Sequence, residues 1–273
     1  AASVVLLLRA PARPGWPPGE WVIAACDVGQ GDAWLIRAGP DAAVAVDAGP
    51  DGKALEACLT QLGVQRVPLV LLTHLHSDHV TGLPSLLRRG TDVLVLPVVT
   101  TPVDNARRIA DEASGVRRET AEVGSTWTVG GVRLDVLAAP DLPRSAGEAE
   151  GESAAENDAS LTVRVEVGGL VALASGDVEE LGQKTRLRLG GVLDADVLMA
   201  PHHGSGRQSP DFWSAVSPRV VLFSVGRDNG YGHPAARTLA LAASTGAASA
   251  RTDEQGIVVV GRNQQGVFVS SQR

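Results

Sequence analysis

Aromatic residues are scarce: five tryptophans, three phenylalanines and one tyrosine among 273 residues. The core must therefore be built from small and branched aliphatic side chains. Cysteine is nearly absent too. Cys26 and Cys58 offer neither metal-ligand spacing nor a disulfide framework. Cys26 lies in a strand-like run and Cys58 in a helix-like one, so two buried free thiols are expected. A single disulfide is the alternative in an oxidising compartment. Positive charge is also short. The net charge of −7 argues against binding nucleic acid through the overall field, and no large basic surface is expected. The pairs Arg88-Arg89, Arg107-Arg108 and Arg117-Arg118 read as solvated faces, although a local basic groove stays open. No apolar run is long: "SVVLLL" is far too short to cross a bilayer, and no basic start with a cleavage site precedes it. The Pro-rich "RAPARPGWPPGE" that follows reads as a linker. Residues 1–20 are thus expected as a linker, or the cut edge of something longer, and 21–273 as one large domain.

What is present is mostly short β-like runs, "WVIAACDV", "DAWLIRA" and "AAVAVDAG", each bounded by Gly, Pro or Asp. "GKALEACLTQLG" has helical apolar spacing and ends at Gly63. "VPLVLLT" reads as a buried strand. Helices are expected over Leu83–Arg89 and Asp104–Ser114, with the strand "DVLVLPVV" between them. "STWTVGGVRLDVLAAP" and "SLTVRVEVGGLVALASGD" read as hairpins turning at Gly130-Gly131 and Gly168-Gly169. The acidic stretch between them, residues 139–157, is expected as a mobile surface loop. The second half alternates: helix "VEELGQKTRLRLG", strand "ADVLMAP", helix "DFWSAVS", strand "RVVLFSV", helix "AARTLALAAST". Closing strands are "QGIVVVG" and "GVFVSS". No sequence repeat is visible. Sheets packed face to face with helices outside are expected.

All six histidines fall in three short loops, each after an expected strand: His74, His76 and His79; His202 and His203; His233. Packing histidines would scatter among the elements, whereas sites gather on loops at one end of a layered sheet. In "THLHSDHVTG" alternate side chains of an extended segment point the same way, so His74 and His76 can reach one ion together. After the turn, Asp78 and His79 can swing toward a second. Two ions about 3.5–4 Å apart activate water and stabilise both oxygens of an in-line displacement. Imidazole suits zinc and other first-row metals, and a bridging carboxylate suits harder ones.

The stretch "THLHSDHVTG" resembles the H-x-H-x-D-H signature of the metallo-β-lactamase superfamily. The resemblance implies an α/β fold, a four-layer αββα sandwich, with two divalent ions. "VDAG" then makes Asp47 a residue that orients the ligand loop. "ASGD" makes Asp177 the bridge between the metals, and "APHHGS" gives His202 or His203 as a ligand of the second metal. The preferred assignment has His202 as ligand and His203 facing substrate. The family places a further histidine between the first cluster and the bridging aspartate, and none stands between His79 and His202 here. "ENDASLTV" occupies that region, so Asn157 or Asp158 would replace it, unless both serve only a turn before a strand. An oxygen ligand shifts preference from zinc toward manganese or magnesium; alternatively the first site fills only with substrate.

"CDVGQGDAWLI", "ENDASLTV", "ASGDVEE", "APHHGSGRQSP" and "DNGYGHP" together resemble the β-lactamase-like domain of the ComEC competence family, from about Trp21 to His233. That resemblance implies a metal-dependent phosphodiesterase that degrades the DNA strand not imported. It further implies an extracytoplasmic, soluble domain of a bacterial inner-membrane channel, with single-stranded DNA and the membrane portion of the same polypeptide as partners. Gln30 and Asp32 sit on a turn where Gly29 and Gly31 let backbone approach a ligand. His233, with Asn229 and Tyr231, would contact phosphate or protonate the leaving oxygen, and Asp78 joins it among the catalytic residues. Ser205 is a candidate partner for a phosphate oxygen. The alternatives are hydrolysis of an amide or thioester by the same metals, and a non-catalytic DNA-binding or gating module.

Overall fold

Alternation with period two sets the architecture. In successive strands one set of side chains, such as Ile23, Trp34, Ile36, Val44 and Val46, enters one core, and the interleaved set, Ala24, Leu35, Ala43 and Ala45, enters another. The computed structural model describes residues 7–8, 16–141 and 154–273. Strands β1 (Leu7–Leu8), β2 (Trp21–Ala25), β3 (Trp34–Arg37) and β4 (Ala43–Val46) precede helix α1 (Gly52–Gln61). Strand β5 (Leu69–Leu71) leads to α2 (Ser77–Val80) and α3 (Leu83–Leu87), and β6 (Val93–Leu96) to α4 (Val103–Glu112). Next come β7 (Arg117–Thr120), β8 (Thr126–Val129), β9 (Val132–Ala138) and α5 (Ala154–Asp158). The hairpin β10 (Thr162–Val167) and β11 (Leu170–Ala174) is followed by α6 (Glu180–Arg186), β12 (Val197–Met199) and α7 (Pro210–Val216). Strand β13 (Val220–Phe223), α8 (Ala236–Ser244), β14 (Ala248–Arg251) and α9 (Thr252–Gln255) precede the closing hairpin of β15 (Val258–Asn263) and β16 (Gly266–Ser271).

The strands form two sheets, β1-β16-β15-β2-β3-β4-β5-β6-β7 and β14-β13-β12-β11-β10-β9-β8. One aliphatic core lies between them. A second packs α1, α3 and α4 on the first sheet, and a third packs α7 and α8 on the second. The result is the αββα order. Each sheet follows one plan: antiparallel hairpins give way to a parallel run, β4-β5-β6-β7 in one and β11-β12-β13-β14 in the other. Loops at the carboxyl ends of such parallel strands are the usual place for a site, and all three histidine loops are there.

Several expectations change. Cys26 and Cys58 are not free thiols but a disulfide, Cα–Cα 5.7 Å apart, tying the end of β2 to α1. Closing so long a loop is worth about 3–4 kcal/mol, which urea denaturation of a Cys26→Ala/Cys58→Ala variant would read. Within the expected 1–20 linker, Leu7–Leu8 pairs in parallel with β16; residues 1–6 and 9–15 lie outside the described residues, as do 142–153 of the expected acidic loop. The end of that loop, Ala154–Asp158, is helical rather than irregular, consistent with the helix preference of Ala and Glu. The helix expected over 178–190 stops at Arg186 and continues as 3₁₀ turns to Leu193, broken at Gly190. Strands β7 and β14, both at sheet edges, were not expected.

Candidate metal centre

The site is assembled from both sheets. Asp47, just past β4, takes a left-handed backbone (φ 59°) and is buried. Its Oδ1 accepts from the Thr73 amide at 2.7 Å, and its Oδ2 accepts from the Thr73 hydroxyl at 2.7 Å. The same Oδ2 lies 2.9 Å from Nδ1 of His79. That fixes the ring so that Nε2 points inward, 3.2 Å from Asp177 Oδ1 and 3.8 Å from Asp78 Oδ1. Across the interface the pattern repeats. Nδ1 of His203 sits 3.1 Å from Asp32 Oδ1, and Nε2 lies 3.2 Å from Asp78 Oδ2 and 3.5 Å from Asp177 Oδ2. A carboxylate behind each imidazole sets its tautomer and raises its basicity. Asp32, His79, Asp177 and His203 present ligand atoms within 4.8 Å of one another. Because Asp32 is engaged with His203, its role is to orient that ring.

The other side is built differently. His74 reaches Asp177 Oδ2 at 3.9 Å through Nε2, with Nδ1 beside the Thr73 hydroxyl at 3.2 Å. His76 stacks edge-on against His74, ring centroids 4.5 Å apart, but its Nε2 is taken by Glu156 Oε2 at 3.1 Å. Glu156, on α5, was not singled out from the sequence. The adjacent Asn157 is buried, lines the cleft, and leaves its Oδ1 without a partner. Asp158 does not reach the site: its Oδ1 accepts from the Glu179 amide at 2.9 Å, and the amide of Gly182 also donates to it. It caps α6, so the expectation of a metal ligand there is corrected.

His202 and His203 divide their work through an unusual turn. Both adopt left-handed backbone, φ 47° and 52°, a conformation that costs an L-residue about 1–2 kcal/mol. Both rings approach Asp177 Oδ2, at 3.6 Å from His202 and 3.5 Å from His203, with centroids 5.9 Å apart. His203 enters the carboxylate cluster, and His202 faces the cleft, with Nδ1 3.0 Å from Glu179 Oε1 and Nε2 3.6 Å from Asp177 Oδ2. His203, rather than the preferred His202, falls in the cluster with Asp32, His79 and Asp177. Glu179, also missed in the sequence, is shared with Arg207 at 2.8 Å.

Other expected residues act as scaffold. Gln30 lines the cleft while its Oε1 accepts from the Gly226 amide at 3.2 Å. Gly31 permits close approach of protein backbone rather than of a ligand: a Cβ there would meet the Asp78 carbonyl at 2.1 Å. The Ser205 hydroxyl accepts from the Arg207 amide and from Gln208 Nε2, both at 3.3 Å, and does not line the cleft, so its expected phosphate contact is corrected. Asn229 pins the next loop, donating to the carbonyls of Gly226 and His233 at 2.8 Å and accepting from the His233 amide at 3.1 Å. Tyr231 stands exposed on the lip.

Charge and burial explain what the cluster lacks. Burial opposes ionisation throughout, yet His203 and His79 hold the Asp177 carboxyl well below its usual range, and His79 and His203 do the same for Asp78. Reciprocally, against burial, Asp177 raises both His79 and His203 well above an ordinary imidazole. Asp47 is raised by burial. His74, by burial and by the charge of His79, is pushed well down. His233 drops to about 4, through burial and then the neighbouring His202 and His203. In the metal-free protein this leaves the His233 ring neutral at pH 7. Nε2 of His74 and Oδ1 of Asn157 are buried without hydrogen-bond partners. Orphaned groups of this kind are costly, and these are an imidazole nitrogen and an oxygen, the donors that divalent metals take. The residues fit metal ions. Asp78, Asp177, Asn157, His76, His202 and His203 line an open cleft of about 500 Å³, within the usual range for a binding site, with His74 and His79 buried behind it.

Two buried histidine–carboxylate pairs around a shared aspartate, at the joined ends of two parallel runs in an αββα sandwich, define a metallo-hydrolase of the metallo-β-lactamase fold. The chain belongs to that family: the beta-lactamase superfamily domain model matches residues 43–250. It is 29% identical to ComE operon protein 3 of Bacillus subtilis over 221 residues, 79% of this chain and 27% of the relative. It is 27% identical to competence protein ComA of Neisseria gonorrhoeae over 258 residues, 92% of this chain and 34% of the relative. The chain thus spans about a third or less of the length of these curated relatives. Among solved structures, Zn(2+)-bound PqqB from Methylobacterium extorquens has the same fold, with TM-score 0.53 and 19% identity over 81% of this chain and 85% of that one. Among the described residues no helix is long and apolar enough to cross a membrane.

Proposed function

We propose that this chain is a two-metal phosphodiesterase that cuts DNA, degrading the strand left outside during DNA uptake. The observation that carries the reading is the convergence of His79 and His203, each backed by a carboxylate, on Asp78 and Asp177 at the floor of an open cleft. His79, His203, Asp78 and Asp177 would hold one divalent ion, and His74, His76, Asp177 and the Glu156–Asn157 corner a second. Manganese or zinc is the expected metal, with magnesium possible on the oxygen-richer side. When bound, such ions supply water activation and charge neutralisation at phosphate oxygens.

The chain's own residues do the rest. Asp47 and Asp32 keep the Nδ1 protons of His79 and His203 in place, leaving each Nε2 free to ligate. Glu179 orients His202 toward the cleft, where its imidazole can hydrogen-bond a phosphate oxygen. Neutral His233 can accept or donate one hydrogen bond there without adding charge, and Arg207 offers a cation at the rim.

Similarity to two competence proteins supports DNA as substrate and attachment to a membrane channel portion of a longer polypeptide. The Cys26–Cys58 disulfide supports the oxidising, extracytoplasmic side. The test is cleavage of single-stranded and plasmid DNA with manganese, zinc, magnesium or chelator, with Asp78→Ala and Asp177→Ala as controls. Metal-dependent cleavage lost in both variants is expected. No cleavage by metal-loaded protein would overturn the reading and send attention to amide or thioester substrates, or to a non-catalytic role in the channel.

A further inference from the structure

The chain's aromatic residues are all described, and Tyr231 alone among them is exposed, at 76%. Its position is built rather than incidental. Asn229 clamps the base of its loop to Gly226 and His233, and Gly230 and Gly232 flank it with open space where a Cβ would stand. The ring lies 6.0 Å from His233, tilted by 32°, and His233 lies 5.3 Å from His202. Rings therefore step from the lip to the metal centre. Cationic side chains offer the phosphates of a strand little here. The cleft walls carry Asp78, Asp177 and Glu179 against Arg207 alone among lysines and arginines, Arg207 is already paired to Glu179, and the net charge is −7. A strand held without a basic track needs another source of binding, and base stacking on an aromatic face supplies it without regard to sequence.

Building on the phosphodiesterase reading above, we infer that Tyr231 is a stacking platform for a base next to the scissile phosphate, so that the site selects strands whose bases are unstacked. The test is fluorescence anisotropy with a labelled thymidine oligonucleotide and an abasic strand of equal length, in chelator and in calcium. Tyr231→Ala should weaken binding of the thymidine strand about tenfold, Tyr231→Phe should bind as wild type, and the abasic strand should bind both variants and wild type equally. Thymidine binding unchanged in Tyr231→Ala would overturn the inference. An equal loss on the abasic strand would do the same, as would the absence of measurable binding by wild type. Because binding is read without turnover, failure of cleavage in manganese would count against the phosphodiesterase reading and leave the stacking result standing.

Discussion

The two sides of the metal centre are made from the same residue types and are not equal. Around His79 and His203, every imidazole has a carboxylate behind it and its inner nitrogen aimed at the same two carboxylates, Asp78 and Asp177. Around His74 and His76, a hydroxyl stands behind one ring, and the inner nitrogen of the other is held by Glu156. The first side is preorganised for a cation; the second must exchange an existing contact, His76 to Glu156, for one. The lesson is that the family's missing histidine is not simply replaced. A carboxylate and an orphaned amide stand in its place, and on the two-ion reading proposed above they would make one position tight and the other weak.

The comparison breaks most completely at the residue both sides share. Asp177→Ala should lower DNA cleavage by on the order of a thousandfold or more and release both ions, measured by turnover and by metal content after dialysis. Cleavage within tenfold of wild type would remove the bridge from the account. One step down, Asp47→Asn should weaken the tight binding event roughly 10–100-fold and spare the weak one. Glu156→Gln should do the reverse, altering only the weak event. Calorimetric titration with manganese separates these, and an equal effect of both variants on both events would erase the asymmetry.

Protons compete with metal on the tight side in a definite direction. His79 and His203 are raised, so their ion pairs stabilise the metal-free protein fully below the ordinary imidazole value of 6.5. That stability is lost as pH rises through the raised values. Asp177 and Asp78 are lowered, so their contribution is present above 3.8 and lost as pH falls through the depressed values. In chelator the melting temperature should therefore fall above neutrality, and metal should abolish that fall by taking the protons' place. A metal-free melting temperature flat from pH 6 to 9 would contradict it. The smallest effect belongs to Asp158→Ala, which should cost about 1 kcal/mol as a lost helix cap in urea denaturation and leave manganese titration unchanged; a lost binding event would restore Asp158 as a ligand.

Much of this was legible in the sequence because it depends on local pattern. Strand alternation, the hairpins at Gly130-Gly131 and Gly168-Gly169, and the gathering of every histidine in loops after strands follow from period and turn chemistry alone. What was hidden depends on contacts between distant segments. Asp158 could not be told from Asn157 as a ligand until α6 packed its amides over one of them. His202 and His203 are neighbours whose directions are set by two left-handed residues, which composition does not announce. Glu156 sits in an Ala-, Gly- and Glu-rich stretch that reads as a solvated loop, and Glu179 in what reads as the start of a helix. Cys26 and Cys58 meet only because α1 folds back over β2.

The most direct measurement follows DNA cleavage and calorimetry together while manganese is titrated into metal-free protein. The account predicts two binding events of unequal affinity, with cleavage appearing only as the weaker one fills. Two equal events, or full activity with one ion bound, would contradict it.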